Sequence, residues 1–141
     1  MSLATILQHQ GREIVQATPD ATVKAVIDLL ADRRIGALPI VDDGKVVGIM
    51  SERDVIYALR RDGAAILDWP VARVMTRPAI TVDPGMSMLA GLSLMTRRRI
   101  RHLPVVEGGR MVGFVSIGDL VKARIDRFEQ EAEALRAYIA S

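Results

Sequence analysis

Two stretches of the chain show the same order of apolar and polar positions. In each stretch, apolar residues recur at the three- and four-residue spacing of an amphipathic helix. These are Val23, Val26, Ile27 and Leu30 in the first stretch, then Met88, Gly91, Leu92 and Met95 in the second. Two β-rich runs, joined to each other by a turn sequence, follow each helix. They are residues 37–41 and 46–50 in the first stretch, then 103–106 and 111–115 in the second. A short run before each helix (14–17 and 79–82) predicts an opening strand, and Ser51 or Ser116 predicts the start of a second helix. The pattern therefore predicts β-α-β-β-α twice.

The two stretches are copies of one unit. A shift of 65 residues aligns the chain on itself without a gap and gives 15 identities over the 40 positions from 19 to 58. Most of the other pairs exchange one apolar residue for another. Self-similarity at a fixed period indicates a repeat architecture, in which each unit needs its neighbour to bury a core.

A repeat of this size buries too little surface to be stable alone. We therefore expect an α/β (α+β) protein in which two repeats, related by a pseudo-two-fold axis, pack sheet to sheet. The expected divisions are a first repeat over 5–62, a connector over 63–73, a second repeat over 74–125 and a helical extension over 126–141. Such packing places two equivalent clefts at strand ends and helix N-termini.

The motifs in both repeats resemble those of the CBS-domain pair, the Bateman module. Each repeat has an isoleucine, two variable residues, Leu-Pro, two apolar residues and an acidic residue, at 35–42 and 100–107. Each then has apolar-Gly-apolar-apolar-Ser-x-x-Asp, at 47–54 and 112–119. The resemblance covers about residues 5–125, and the small stand-alone bacterial members are the most similar.

The resemblance implies a regulatory module that binds AMP, ADP, ATP, NAD or S-adenosylmethionine and forms a homodimer. It implies that the aspartate of Ser-x-x-Asp binds the ribose, that the serine lies near phosphate, and that the adenine lies along the opening strand of the other repeat. One cleft would then contain Gln16, Ala17, Thr18, Arg101, His102, Ser116, Gly118 and Asp119. The second cleft would contain Gly36, Ala37, Ser51, Asp54, Thr81, Val82 and Asp83.

The two copies differ where phosphate would lie. In the first copy an acidic residue, Glu52, directly follows the serine, whereas Ile117 and Gly118 follow it in the second. The second copy also has Arg101 and His102 before its Leu-Pro pair. Glycine lets a ligand approach the backbone, and arginine suits phosphate recognition. The residues therefore favour the cleft of Asp119 as the anion site.

The Ser-x-x-Asp motif has two interpretations that are compatible with each other. It matches a helix capping box, in which the serine is the N-cap and the acid lies three residues later. It also places a carboxylate, able to accept hydrogen bonds from ribose hydroxyls, beside a helix N-terminus suited to phosphate. Because the motif occurs in both copies after a glycine, we interpret it as a nucleotide site that is also a cap.

Composition narrows the remaining function classes. The charge is −2 over residues 1–70 and +4 over 71–141, and the excess is concentrated in Arg97–Arg99 and Arg101, which could also complement a helix C-terminus. Few aromatic residues accompany it, which disfavours nucleic-acid binding. The chain has no cysteine, and its two histidines, His9 and His102, stand without a nearby acidic cluster, so we expect no metal site. The absence of a long apolar run or a signal sequence predicts a cytoplasmic protein with no membrane contact.

The end of the chain continues with a helical pattern. Val121, Ile125, Phe128, Ala132, Leu135 and Ile139 follow one another at spacings of four and three. This is an a/d heptad pattern, which fits either a helix folded on its own module or a subunit contact. We favour the subunit contact.

These observations predict a homodimeric, non-catalytic sensor with no obligatory cofactor, which binds an adenine nucleotide and acts on an unidentified regulated protein. AMP is the expected ligand. The alternative is an architectural dimerisation protein whose clefts bind nothing. No nucleophile–base pair or carboxylate dyad indicates an enzyme.

Overall fold

Each repeat consists of a helix, a two-stranded antiparallel sheet and a second helix. The computed structural model describes residues 1–11 and 13–140. The first repeat contains α2 (Val23–Arg33), β1 (Ala37–Asp42), β2 (Lys45–Ser51) and α3 (Glu52–Asp62). The second contains α4 (Met88–Arg98), β3 (His102–Glu107), β4 (Arg110–Ser116) and α5 (Ile117–Ala140). A further helix, α1 (Leu3–Gln10), precedes the first repeat, and two 3₁₀ helices, Gly63–Asp68 and Val71–Arg73, form the connector. The mixed helix and strand class predicted from the repeat is confirmed.

Local sequence explains where the helices begin. The hydroxyls of Thr22 and Ser87 accept hydrogen bonds from the backbone N–H groups of Ala25 and Ala90, which satisfies donors that a helix start leaves without a partner. α2 and α4 therefore begin at equivalent positions, 65 residues apart. The strand registers and the position of the β-bulge agree in the same way between the two sheets.

The opening strands are shorter than the sequence pattern predicts. In each predicted opening strand a single residue forms a bridge: Ala17 pairs in parallel with Ile40, and Val82 pairs in parallel with Val105. Around Ala17, the backbone N–H donates to Pro39 and the carbonyl accepts from Val41. The next hydrogen bond in either direction would need an N–H from Pro39 or Pro19, and proline has none. The second repeat has prolines at both equivalent positions, so its opening strand is also limited to one bridge.

Each repeat completes its core with a segment from outside the β-α-β-β-α unit. Ile66 and Val71 of the connector are fully buried in the core of the first repeat. Leu3 and Ile6 of α1 are buried in the core of the second repeat, although α1 lies at the other end of the sequence. The sequence pattern did not predict α1. The expected domain divisions stay predictions. Because Leu3 and Ile6 are buried there, the first residues of the chain pack with the second repeat rather than with the first.

The two sheets meet through β2 and β4, which contact each other. Sheet contact brings the ends of the strands and the starts of α3 and α5 from both repeats to one region of the molecule. Only the first turns of α5 pack on the second repeat, through Leu120 and Ala123. Among the described residues, no helix combines the length and apolar character that crossing a membrane requires.

Candidate functional site

A cavity with a volume of about 1000 Å³ lies between the two repeats, and it is the larger of the two cavities beside the Ser-x-x-Asp motifs. Its wall includes the start of α3 in the first repeat and the start of β3 in the second. A segment that follows the connector, residues 76–80, lies along the same wall. Ligand pockets commonly have volumes of about 300–1000 Å³. The cavity is therefore large enough for a mononucleotide.

Ser51 and Asp54 form one side of this cavity. The Asp54 carboxylate accepts hydrogen bonds from the Ser51 backbone N–H (2.9 Å) and hydroxyl (3.0 Å), and the Ser51 hydroxyl accepts one from the Asp54 N–H (3.2 Å). The motif thus forms a capping box at the start of α3. The other carboxylate oxygen of Asp54 accepts a hydrogen bond from the Thr76 hydroxyl at 2.7 Å. The carboxylate is held in one orientation at the cavity wall.

Thr76 is held by the sheet of the first repeat. Its backbone exchanges two hydrogen bonds with Ile49 of β2, at 3.0 and 2.9 Å. This close approach depends on Gly48, since a Cβ at that position would lie 2.6 Å from the Met75 sulfur and 2.9 Å from the Thr76 carbonyl oxygen. Gly48 therefore lets the segment at 76–80 lie against β2 beside Asp54.

Arg101 and His102 of the second repeat line the same cavity as Asp54. The His102 ring stacks on Phe114, with ring centroids 5.5 Å apart. Burial, and then the nearby Arg101 guanidinium, lower the pKa of His102 below its usual value of 6.5, while Asp119 and Glu52 oppose the shift. The imidazole is therefore neutral near pH 7, and Arg101 supplies positive charge at this end of the cavity.

Further arginines surround this end. Arg34 and Arg99 line the cavity from equivalent positions at the C-terminal ends of α2 and α4. Both adopt the left-handed backbone conformation, with φ of 52° and 54°, where glycine is the usual residue. Arg53 also lies on the wall, and the acidic residues there are Glu52 and Asp54. The charge distribution suits an anionic group near the arginines and a hydrogen-bond donor near Asp54.

The second Ser-x-x-Asp motif has the same cap but a different environment. Asp119 accepts a hydrogen bond from the Ser116 N–H at 2.8 Å, and the Ser116 hydroxyl accepts one from the Asp119 N–H at 3.1 Å. Asp119 lines a smaller cavity of about 470 Å³ between α1 and α5. Leu7 of α1 covers Gly113, and a Cβ on that glycine would lie 2.4 Å from the leucine side chain. α1 therefore takes the place that the segment at 76–80 has in the first repeat.

The structure brings together only part of each predicted residue set. Gly36, Ala37, Ser51 and Asp54 line the larger cavity, together with Arg101, His102 and Ser116 from the other set. The remaining residues are not among those that line it, namely Gln16, Ala17, Thr18, Gly118, Asp119, Thr81, Val82 and Asp83. Thr18 donates a hydrogen bond to Asp20, and Asp83 accepts one from the Gly85 N–H, so both belong to turns. Arg101 and His102 thus share a cavity with Asp54, while Asp119 of their own repeat remains close enough to His102 to raise its pKa.

Sequence reasoning missed Thr76 and Pro78 on the cavity wall. Ala79 and Ile80 lie within the predicted opening strand, but they line the cavity in place of the expected Thr81, Val82 and Asp83. The repeat alignment could not have indicated Thr76, because its counterpart in the first repeat is Gly11, which has no side chain. Among the described residues, no group of His, Asp and Glu side chains is arranged to hold a metal ion.

Comparison with known proteins supports the repeat interpretation. The family model of the CBS domain matches residues 11–61 and 71–126. The chain is 36% identical to the mitochondrial CBS domain-containing protein CBSX3 of Arabidopsis thaliana, over 98% of this chain and 71% of that protein. Both matches extend over the two repeats.

Solved structures of related proteins share the fold. The CBS-domain containing protein ATU1752 from Agrobacterium tumefaciens is 37% identical, with a TM-score of 0.82 over 88% of this chain and 99% of that one. The CBS domain pair of MJ0100, solved with 5′-methylthioadenosine and S-adenosyl-L-methionine, is 26% identical, with a TM-score of 0.77 over 90% of this chain and 98% of that one. This chain therefore belongs to the CBS-domain family and consists of two CBS domains in tandem.

Proposed function

We propose that this protein is a non-catalytic regulatory module that binds AMP in the larger cavity and, as a homodimer, acts on a partner protein in the cytoplasm. The observation that supports the proposal is the meeting of Asp54 from the first repeat with Arg101 and His102 from the second around one cavity. Adenosyl ligands in the related MJ0100 pair support the choice of an adenine compound. The ordering of the clefts drawn from sequence stays untested, and the position of Arg101 now favours the cleft of Asp54.

The proposed binding mode assigns one chemical task to each part of the wall. The Asp54 carboxylate accepts hydrogen bonds from the ribose hydroxyls, because its oxygens keep further acceptor capacity beyond Ser51 and Thr76. The adenine lies along residues 76–80, which offer backbone groups and the apolar side chain of Ile80. The phosphate lies toward Arg101, Arg34 and Arg99, since guanidinium groups bind phosphate in a bidentate manner.

The charge of the cavity distinguishes AMP from other adenine ligands. S-adenosylmethionine shares the adenosine but carries a sulfonium cation, which would lie close to Arg34, Arg99 and Arg101. ADP, ATP and NAD carry more phosphate and would extend toward the start of α5 at Ser116. We therefore expect AMP and ADP to bind more tightly than S-adenosylmethionine.

A thermal-shift panel tests the proposal. The protein is melted with adenosine, AMP, ADP, ATP, NAD or S-adenosylmethionine, each at up to millimolar concentration. A ligand that binds only the folded state at 100 times its Kd stabilises by about 2.7 kcal/mol, which raises Tm by several degrees for a chain of this size. No shift with any of the six ligands would contradict nucleotide binding and support an architectural protein instead. Mass spectrometry of compounds released from the purified protein identifies a co-purified ligand.

A further inference from the structure

One side of α5, from its second turn to its end, exposes a continuous apolar stripe. Val121 is 43% exposed, Ile125 51%, Phe128 54%, Leu135 60% and Ile139 73%. Leu120 is the buried residue of this helix, and it lies with Ala123 on the side that packs against the second repeat. At about 100° per residue, the stripe lies on another side of the helix from Leu120 and Ala123. The module itself therefore does not cover the stripe.

We propose that this stripe binds the α5 stripe of a second copy of the chain in an antiparallel helix pair. This inference deepens the homodimer of the proposed function by naming its contact surface. The apolar residues occupy the a and d positions of about three heptads, which is the seam of a two-stranded coiled coil. Antiparallel pairing centred between Phe128 and Ala132 places every a or d residue opposite a d or a residue of the second copy.

Side-chain volume favours the antiparallel arrangement. In it, Val121 faces Ile139 of the second copy, Ile125 faces Leu135, and Phe128 faces Ala132. Each layer then combines side chains of complementary size, and the largest side chain of the stripe faces the smallest. Parallel pairing would instead place Phe128 against Phe128 of the second copy, and it would leave a gap where Ala132 faces Ala132. Interiors pack with few voids, so the arrangement with matched layers is the more stable one.

The charges that flank the stripe are complementary in this arrangement. Arg124 of one copy faces Glu131 of the other, and Glu129 faces Arg136, so that the symmetric pair contains each contact twice. Within the chain, Arg124 lies over the Phe128 ring at 4.1 Å, which keeps the guanidinium at the edge of the stripe. Opposite charges at flanking heptad positions favour the pairing of two copies. A parallel pair would also bring opposite charges together, Arg124 with Glu129 and Glu131 with Arg136, so the antiparallel orientation is argued from the packing of the layers.

Sedimentation equilibrium with charge-reversed variants tests the contact. The wild-type chain, of 15.4 kDa, is expected to sediment at twice this mass at micromolar concentration. Glu129→Arg places like charges opposite each other at two symmetric positions, and we expect the dimer Kd to rise about tenfold. Adding Arg136→Glu to this variant restores the wild-type Kd. Rescue by Arg124→Glu instead would identify parallel pairing and overturn the antiparallel model.

Cysteine cross-linking gives an independent readout, because the chain contains no cysteine. Under mild oxidation, a mixture of Ile125→Cys and Leu135→Cys chains is expected to form a disulfide-linked dimer, whereas Leu135→Cys alone is not. Cross-linking of Leu135→Cys alone would contradict the antiparallel pair.

Circular dichroism confirms that each variant is folded, and Glu133→Arg, which lies outside the seam, serves as the matched control. A monomeric wild type, or a dimer that Glu129→Arg leaves unchanged, overturns the proposal. The AMP thermal shift is measured separately on the same variants, so that loss of dimerisation and failure of nucleotide binding are distinguished.

Discussion

The two Ser-x-x-Asp motifs start their helices with the same cap but face different surroundings. Beside Asp54 lies an extended segment, and its Thr76 hydroxyl donates to the carboxylate across a cavity of about 1000 Å³. Beside Asp119 lies a smaller cavity of about 470 Å³, and Leu7 of helix α1 covers the neighbouring Gly113. Equivalent motifs therefore do not make equivalent sites. What distinguishes them is the segment that each repeat receives from outside its own β-α-β-β-α unit.

Alanine substitution of Asp54 and of Asp119 separates nucleotide binding from helix capping. The largest effect on AMP affinity is expected from this pair of variants. Asp54→Ala is expected to weaken AMP binding about 10–100-fold, which corresponds to one or two charge-assisted hydrogen bonds. Asp119→Ala removes an equivalent cap at the start of α5 and is therefore the matched control for stability. Calorimetric titration with AMP measures both variants. If Asp119→Ala alone lost AMP binding, the two clefts would have the opposite roles.

The glycines before the two motifs are expected to differ in their tolerance of a methyl group. In Gly48→Ala, the new Cβ meets the Thr76 carbonyl oxygen, so the backbone beside Asp54 has to move. In Gly113→Ala, the Cβ meets the end of the Leu7 side chain, which can change rotamer. We expect Gly48→Ala to lower the free energy of unfolding by about 1–2 kcal/mol, and Gly113→Ala to lower it by less. Urea denaturation measures the difference, and equal losses would show that α1 is held as rigidly as the segment at 76–80.

Arg101 tests whether the phosphate lies at the junction of the repeats. Arg101→Ala is expected to weaken AMP binding about tenfold, because a charge-assisted hydrogen bond contributes about 1.5 kcal/mol or more. Adenosine lacks the phosphate, so its affinity should change little in the same variant. Titration with both ligands isolates the phosphate contribution. An equal loss for adenosine and AMP would place the guanidinium on another part of the ligand.

His102 is expected to make the stability of the second repeat depend on pH. The first repeat has no such group, because its equivalent residue is Ala37. Its pKa is lowered in the folded state by burial and then by Arg101, against Asp119 and Glu52, so the unfolded chain binds a proton at higher pH than the folded chain does. The free energy of unfolding should therefore fall as the pH drops below 6.5 toward the folded pKa. His102→Gln should reduce this fall, as measured by urea denaturation between pH 7.5 and 5.5. A steeper fall in the variant would contradict the burial of a neutral imidazole.

Periodicity and repeat alignment were sufficient to predict most of the fold. The helices that begin after Thr22 and Ser87, and the hairpins 37–51 and 102–116, follow from local patterns that occur twice. The short opening strands could have been predicted from the prolines, because the missing N–H groups of Pro19 and Pro39 limit the ladder. The class, the repeats and the long last helix needed no tertiary information.

The site could be predicted only in part, because it depends on contacts between distant segments. Ser51, Asp54, Arg101 and His102 are recognisable by residue type, but their grouping in one cavity results from the packing of one repeat on the other. The positions of Leu7 over Gly113 and of Met75 over Gly48 also break the two-fold relation of the repeats. A 65-residue alignment treats the clefts as equivalent and contains no signal for this difference.

A crystal structure of the protein grown with AMP tests the central claim most directly. The account predicts one AMP in the larger cavity, with ribose hydroxyls on Asp54, adenine along residues 76–80 and phosphate beside Arg101. The cavity between α1 and α5 should contain no nucleotide. An AMP whose ribose lies on Asp119, with α1 displaced from Gly113, would contradict the account.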